Sequence, residues 1–238
     1  MKNKKGFTLA EVLITLAILG IVAAISMPAL NNAVQKNKVP PSIRKMITTL
    51  ENANERILQE GEADVISESI LNYNTNYINE LSKYIQGSID KDASGKVKTV
   101  KSYGTIKING SESGLSNTDK YKVFKLQNGS SIGIWAKDTI SAPAPGSNYK
   151  GYIADILYDM NGFDKKPNSV AKDIFIFVVD NSGAIATYGS KLSQEITNIS
   201  SNNWNSTTGC PNDKKPASGS EYCAGAIEEN DWKVMYKY

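Results

Sequence analysis

Between Phe7 and Leu30 the chain reads FTLAEVLITLAILGIVAAISMPAL, and Glu11 is its only ionisable side chain. As a helix at 1.5 Å per residue this stretch would be roughly 36 Å long, enough to cross a hydrocarbon core of about 30 Å. Lys2, Lys4 and Lys5 precede it, a charge bias that keeps the tip on the cytoplasmic side of a membrane. An ordinary anchor leaves Glu11 unexplained, because a carboxylate in a spanning segment costs about 2.5–3.5 kcal/mol and usually has a partner. A secretory signal peptide, with Ala24-Ile25-Ser26 as a small-x-small cleavage site, leaves it equally unexplained.

The stretch KKGFTLAEVLITLAILGIVAAISMPAL resembles the class III signal of type IV prepilins and type II secretion pseudopilins. Gly6 matches the residue before the cleaved bond and Phe7 the new N terminus, which that family N-methylates. Thr8 and Leu9 complete the G-F-T-L pattern, Glu11 matches the family glutamate, and Pro28 matches a proline further along the family helix. The resemblance covers about the first thirty residues. It implies that residues 1–6 are a cleaved leader and that 7–30 form a helix that is first an anchor and then a filament core. It implies that Glu11 meets the N-terminal amine of a neighbouring subunit. In a low-dielectric bundle a paired carboxylate costs far less than an unpaired one, so Glu11 would set the axial register of assembly. Ala17, Gly20, Ala23 and Ala24 would let helices approach closely. The implied partners are identical or related pilin subunits, a prepilin peptidase and an inner-membrane assembly platform. The implied location is the bacterial inner membrane, then a periplasmic or cell-surface filament.

Composition narrows the alternatives. The chain has no histidine, which removes Ser-His-Asp and Cys-His catalysis and histidine-based metal sites. Two cysteines are too few for a zinc finger or an iron–sulfur cluster. The formal charge of +3 sits in the leader: without Lys2, Lys4 and Lys5 the 27 basic residues become 24 and equal the 24 acidic ones. Nucleic acid is therefore not an expected partner. No carboxylate pair can be assigned as general acid and base from spacing, so no enzymatic role is expected. The alternative to a filament subunit is an exported or membrane-anchored protein that binds a ligand through its outer domain.

Past Leu30 the sequence turns polar and then carries Pro40-Pro41. Two prolines remove hydrogen bonds and kink or break a helix, so the helix continuation over 31–60 is expected to break near Val39 and restart with Pro41 in its first turn. From Ser42 to Leu58 the spacing of Ile43, Met46, Ile47, Leu50, Ile57 and Leu58 predicts an amphipathic helix. One further helix, or two short ones, should end at Gly87. KVKTVKSYGTIKI reads as one or two short strands, and YKVFKLQNGSSIGIWAKD as a hairpin turning at Asn128-Gly129. YKGYIADILYD and DIFIFVVDNSGAIATYG read as further strands, the latter turning near Asn181–Gly183. The expected fold class is α+β: a long hydrophobic N-terminal helix of pilin type, then an amphipathic helix packed on an antiparallel sheet, with 61–238 forming the outer domain.

Two constellations stand out in that domain. DMNGFDKKPNSVAKD places Asp159, Asn161, Asp164 and Asp173 close together. Oxygen ligands at alternating positions near a glycine suit calcium, but Phe163 at the fifth position and the lack of a glutamate at the twelfth exclude an EF-hand. The favoured reading is a tight polar turn whose side chains cap backbone groups, with calcium as the alternative. The stretch resembles a D-x-N-G…P-N…D-x-F pattern in some bacterial pilin-like proteins, and major pseudopilins hold calcium in a late loop. Cys210 and Cys223 fall late in a domain expected to face an oxidising space, which favours a disulfide. Many type IV pilins close a C-terminal loop in this way.

Overall fold

The structure, a computed structural model, describes residues 6–108, 114–198, 210 and 220–236. The leader lysines and the loop expected between the cysteines, 211–219, lie outside the described residues. The chain divides into two compact units, Met1–Lys38 and Val39–Tyr238.

Helix α1 runs from Leu9 to Glu60 and contributes to both units. Within the first unit its large apolar side chains, from Leu9 and Val12 to Leu30 and Val34, are all exposed. In the second unit the character reverses. Val39, Ile43, Met46, Leu50, Ala53 and Ile57 recur at three- and four-residue intervals and are buried, the stripe of an amphipathic helix.

The expected break at Pro40-Pro41 does not occur: α1 is continuous through both prolines. The missing N–H groups would have served the carbonyls of Lys36 and Asn37. Lys36 is half-buried and Asn37 exposed, so water can satisfy both carbonyls. Each interior proline costs about 3 kcal/mol. Burial of Val39, Ile43, Met46 and Leu50, at about 1.5–3 kcal/mol for each side chain, outweighs that cost. Tertiary packing overrides the local signal.

After α1 come two short helices, α2 (Ile66–Ser69) and α3 (Tyr73–Tyr84). Six strands follow: β1 (Gly87–Ile89), β2 (Lys122–Leu126), β3 (Ser131–Ser141), β4 (Tyr152–Asp159), β5 (Ile174–Asp180) and β6 (Ile185–Thr187). They form one antiparallel sheet in chain order. Two small helices close the described chain, α4 (Lys191–Thr197) and α5 (Cys223–Glu229). The β2–β3 hairpin turns at Asn128-Gly129 as its sequence predicts, with Gly129 at φ +87° and the Asn128 side chain accepting from the Ser130 N–H at 3.0 Å.

The expected strands in KVKTVKSYGTIKI are not formed. That stretch makes a 3₁₀ turn at Val100–Tyr103 and isolated bridges at Val97, Thr99 and Lys107. It anchors through separate buried residues, Val100 and Ile106, and Gly104 at φ +97° turns the chain between them. These residues cover the second face of the sheet, packing with Val123, Leu157, Ile174 and Ile176. The first face, with Phe124, Ile156 and Phe177, packs with the α1 stripe, α3 and α5. A strand covered on both faces has no polar side to alternate, which is why IFIFVVD is buried throughout.

One polar link crosses the first interface. The buried Asn54 of α1 donates to the Gly183 carbonyl and accepts from the Tyr77 hydroxyl, both at 2.8 Å. Gly183, at φ +91°, lets the β5–β6 turn come so near that a Cβ would lie 3.0 Å from that of Asn54. The link ties together three sequence-distant elements in a dry interior, where an unpaired partner costs about 1–3 kcal/mol. Asn54→Ala should therefore lower unfolding stability by about 2–4 kcal/mol and Tyr77→Phe by about 1–2 kcal/mol in urea titrations. Replacing Pro40 and Pro41 together by alanine should raise stability by roughly 3–6 kcal/mol in the same measurement, since the helical conformation is already adopted and each proline costs it about 3 kcal/mol.

Candidate functional site

Thr8 precedes the first residue of α1, and its side chain and that of Glu11 bond reciprocally. Glu11 N–H donates to Thr8 Oγ1 at 3.3 Å, while Thr8 N–H and Thr8 Oγ1–H donate to Glu11 Oε2 at 2.8 and 2.9 Å. This is a capping box, in which orphan donors at a helix start are satisfied by side chains three residues apart. The carboxylate also faces the positive end of the helix dipole. The Thr-x-x-Glu spacing was a sequence signal for this cap, and the reading of Glu11 by its outside partner alone missed it.

The remaining hydroxyls of the apolar run fold back onto their own helix. Thr15 donates to the Val12 carbonyl at 2.9 Å and Ser26 to the Val22 carbonyl at 2.8 Å. What the segment shows its surroundings is therefore almost purely hydrocarbon, with Phe7 88% exposed, and α1 is long and apolar enough to cross a membrane. Gly6 and Gly20 have open space where a Cβ would stand. Nothing in the packing of the described residues requires glycine at either position.

Cys210 and Cys223 form a disulfide, with Cα atoms 5.4 Å apart and both residues buried in the cluster that includes the α1 stripe. Cys223 is the first residue of α5, so the bridge pins the start of that helix.

Of the four candidate cation ligands, three come together. Asp159 ends β4, and Asp173 directly precedes β5. Asp159 pairs with Ile174 in the sheet, and Met160 N–H donates to the Asp173 carbonyl at 2.9 Å. Asp159 Oδ1 accepts from the Asn161 and Gly162 N–H groups, each at 3.0 Å, and Asp173 Oδ1 accepts from Ser169 N–H at 2.6 Å. These bonds are the polar turn expected from the sequence. Burial, followed by the charge of Asp173, pushes the Asp159 carboxyl up to about 7; burial also raises Asp173. Asp164 stands apart, exposed and paired with Lys125 at 2.7 Å. No group of three or more His, Cys, Asp or Glu residues is placed to hold a metal among the described residues.

A cluster that the sequence did not reveal lies on the second face of the sheet. Lys137 meets Asp155 at 2.6 Å and stands 3.3 Å from the centre of the Trp135 ring. Tyr152 also bonds Asp155. Only the register of β3 against β4 brings these residues together.

The profile described as the prokaryotic N-terminal methylation motif matches residues 1–27. Over its N-terminal part the chain is similar to type IV pilins. It is 37% identical over 67 residues to a fimbrial protein of Pseudomonas aeruginosa, covering 28% of this chain and 43% of that relative. Against the type IV major alpha-pilin of Moraxella bovis it is 37% identical over 68 residues, covering 29% and 42%. Against a fimbrial protein of Neisseria meningitidis it is 26% identical over 134 residues, covering 56% and 66%. The chain thus spans about two-fifths of the length of the first two relatives. No solved structure matches it.

A pilin-like helix followed by an α+β domain and a late disulfide agrees with the architecture expected from the leader. Because that disulfide closes a loop with a sequence separation of 13, its reduction should lower the stability of the domain beyond Val39 by about 3 kcal/mol. Thermal melts with and without reductant, repeated on Cys210→Ser/Cys223→Ser, should show the same downward shift, and the double variant should not respond to reductant.

Proposed function

We propose that this chain is a structural subunit of a type IV pilus-like or type II secretion-like filament, made as a membrane-anchored precursor. The observation that carries the reading is the exposed apolar segment of α1 with a single capped carboxylate at its start. A helix satisfies its own backbone, so it can lie in lipid or among like helices. Its side chains then need an apolar environment, and the membrane followed by a bundle of other subunits would supply one in turn.

Cleavage after Gly6 by a prepilin peptidase fits both ends of the geometry. The packing of the described residues leaves the Gly6 position free, so a demand for glycine there would come from a processing enzyme. Cleavage would turn the Phe7 nitrogen into an amine, to be N-methylated, while Thr8 N–H stays a peptide amide. The capping box therefore survives processing. Both bonds from Thr8 fall on Oε2 of Glu11, and a carboxylate offers a second oxygen. The Phe7 amine of a neighbouring subunit is its proposed partner, aided by an inner-membrane assembly platform. The role is structural rather than enzymatic, with the domain beyond Val39 on the outside of the filament.

Intact-mass measurement tests the processing step. The mature chain should begin at Phe7 and carry one added methyl group; a chain starting after Ser26 would sink the proposal. Gly6→Leu should accumulate precursor. Glu11→Ala should be cleaved nearly as well as wild type yet yield at least tenfold fewer filaments by shearing and electron microscopy, the loss expected when a buried amine loses a charged partner worth about 1.4 kcal/mol or more.

A further inference from the structure

On the second face of the sheet Asp155 borders a cavity of about 240 Å³. Its walls are aromatic: Tyr121, Trp135, Tyr152 and Tyr188 all line it. Strands β3 and β4 supply Trp135, Tyr152 and Asp155, Tyr188 directly follows β6, and Glu221 reaches the cavity from a 3₁₀ turn at Ser220–Tyr222. Among the described residues that line it, the charged ones are Asp155 and Glu221, both acidic.

The two carboxylates are in different states. Asp155 is fully engaged: Tyr152 donates to its Oδ1, while Lys137 at 2.6 Å and the Tyr121 hydroxyl at 3.4 Å donate to its Oδ2. Lys137 also neutralises its charge. Glu221 Oε2, by contrast, is buried and has no hydrogen-bond partner, although buried polar atoms almost always find one. Its charge is felt by the rings around it. Burial, then the neighbouring Tyr222, Asp155 and Glu221, push the Tyr188 hydroxyl up. Aromatic faces attract cations, and this surface already holds one of the chain's own: Lys137 Nζ stands 3.3 Å from the centre of the Trp135 ring and 5.0 Å from that of Tyr152.

From this arrangement we propose that the cavity binds one small organic cation, a primary ammonium on a short apolar body, with Glu221 as its counter-ion. The ammonium supplies the N–H donors that Glu221 Oε2 lacks. The rings take up the rest of its charge and cover its carbon chain. With Asp155 already neutralised by Lys137, one uncompensated carboxylate calls for one monovalent cation. A bare metal ion fits poorly, because hard cations need six or so oxygen ligands and the walls are mostly rings. A neutral ligand such as a sugar could stack on the rings but would leave the Glu221 charge unmatched. The volume is below the roughly 300–1,000 Å³ of drug-sized pockets, which limits the ligand to a few carbons. The site does not depend on the filament reading.

The test is a titration of the full chain, in a non-ionic detergent, with n-butylammonium chloride. It is read by tryptophan fluorescence, since Trp135 lines the cavity, and by thermal melts. The probe should change the emission saturably and raise the melting temperature by roughly 3–6 °C at a tenfold excess over Kd. Sodium chloride at equal ionic strength and n-butanol at equal concentration should reproduce neither response. Glu221→Gln keeps the shape of the side chain without its charge and should weaken binding by about tenfold or more. Tyr188→Phe keeps the ring and should bind like wild type, whereas Tyr188→Leu should bind more weakly by roughly threefold or more. Should a variant fail to fold, the comparison of n-butylammonium with n-butanol on wild type decides. The proposal is overturned if wild type shows no saturable response, if n-butanol or sodium chloride matches n-butylammonium, or if Glu221→Gln or Tyr188→Leu responds like wild type.

Discussion

An apolar helix that its own chain does not cover is the constraint on which the rest of the molecule depends. From Phe7 to Val34 the side chains that would bury themselves in a soluble protein stand exposed, and the hydroxyls among them return to their own backbone. Hydrocarbon presented on that scale has to be covered by lipid or by other helices. The same helix, once past Lys38, changes from uniformly apolar to striped and becomes the element on which the sheet packs. One continuous backbone thus serves two solvents, and the change of side-chain pattern marks where one gives way to the other.

The cap at the start of α1 shows how a carboxylate can be carried into such a segment. Glu11 lies in the first helical turn, where orphan N–H groups and the helix dipole favour negative charge. Thr8 adds two hydrogen bonds. The charge is solvated by its own helix before any other subunit is considered, so a neighbouring amine would add to a partly satisfied group. An assembly interaction of this kind supplies register without demanding that the unassembled chain hold a bare charge in oil.

The two-residue turns were legible because their chemistry is local. Asn128-Gly129 marks a hairpin whatever packs around it, and Gly183 is needed at positive φ wherever the β5–β6 turn sits. The apolar spacing of α1 beyond Ser42 was legible for the same reason. The Pro40-Pro41 signal misled because the energy that overrides it comes from Val39 and Ile43 meeting residues more than eighty positions away. The stretch around Val100 misled because apolar–polar alternation also arises where separate side chains plug a sheet face without joining a ladder. The Lys137–Asp155 cluster needed the register of β3 against β4 and could not have been found in either strand alone. Of the carboxylates read from the stretch DMNGFDKKPNSVAKD, Asp159 and Asp173 are enclosed whereas Asp164 pairs with Lys125 at the surface. Residue type cannot distinguish a carboxylate held inside by backbone N–H groups from one drawn outward by Lys125.

Glu11 and the Asp159–Asp173 pair are carboxylates in settings that discourage charge, and they solve the problem to different degrees. Glu11 is exposed in the isolated chain and capped, so its cost falls due only when an apolar environment closes around it. The aspartates are already enclosed, Asp173 disfavours the charge of Asp159, and the Oδ2 atom of each has no hydrogen-bond donor. Backbone N–H groups can neutralise one oxygen of a carboxylate, but they cannot remove the repulsion between two such groups at close range. For Glu11, the proposed completion is positive charge from outside the folded domain, an amine that would be met only on assembly, whereas the aspartates keep the burden of their burial within the single chain.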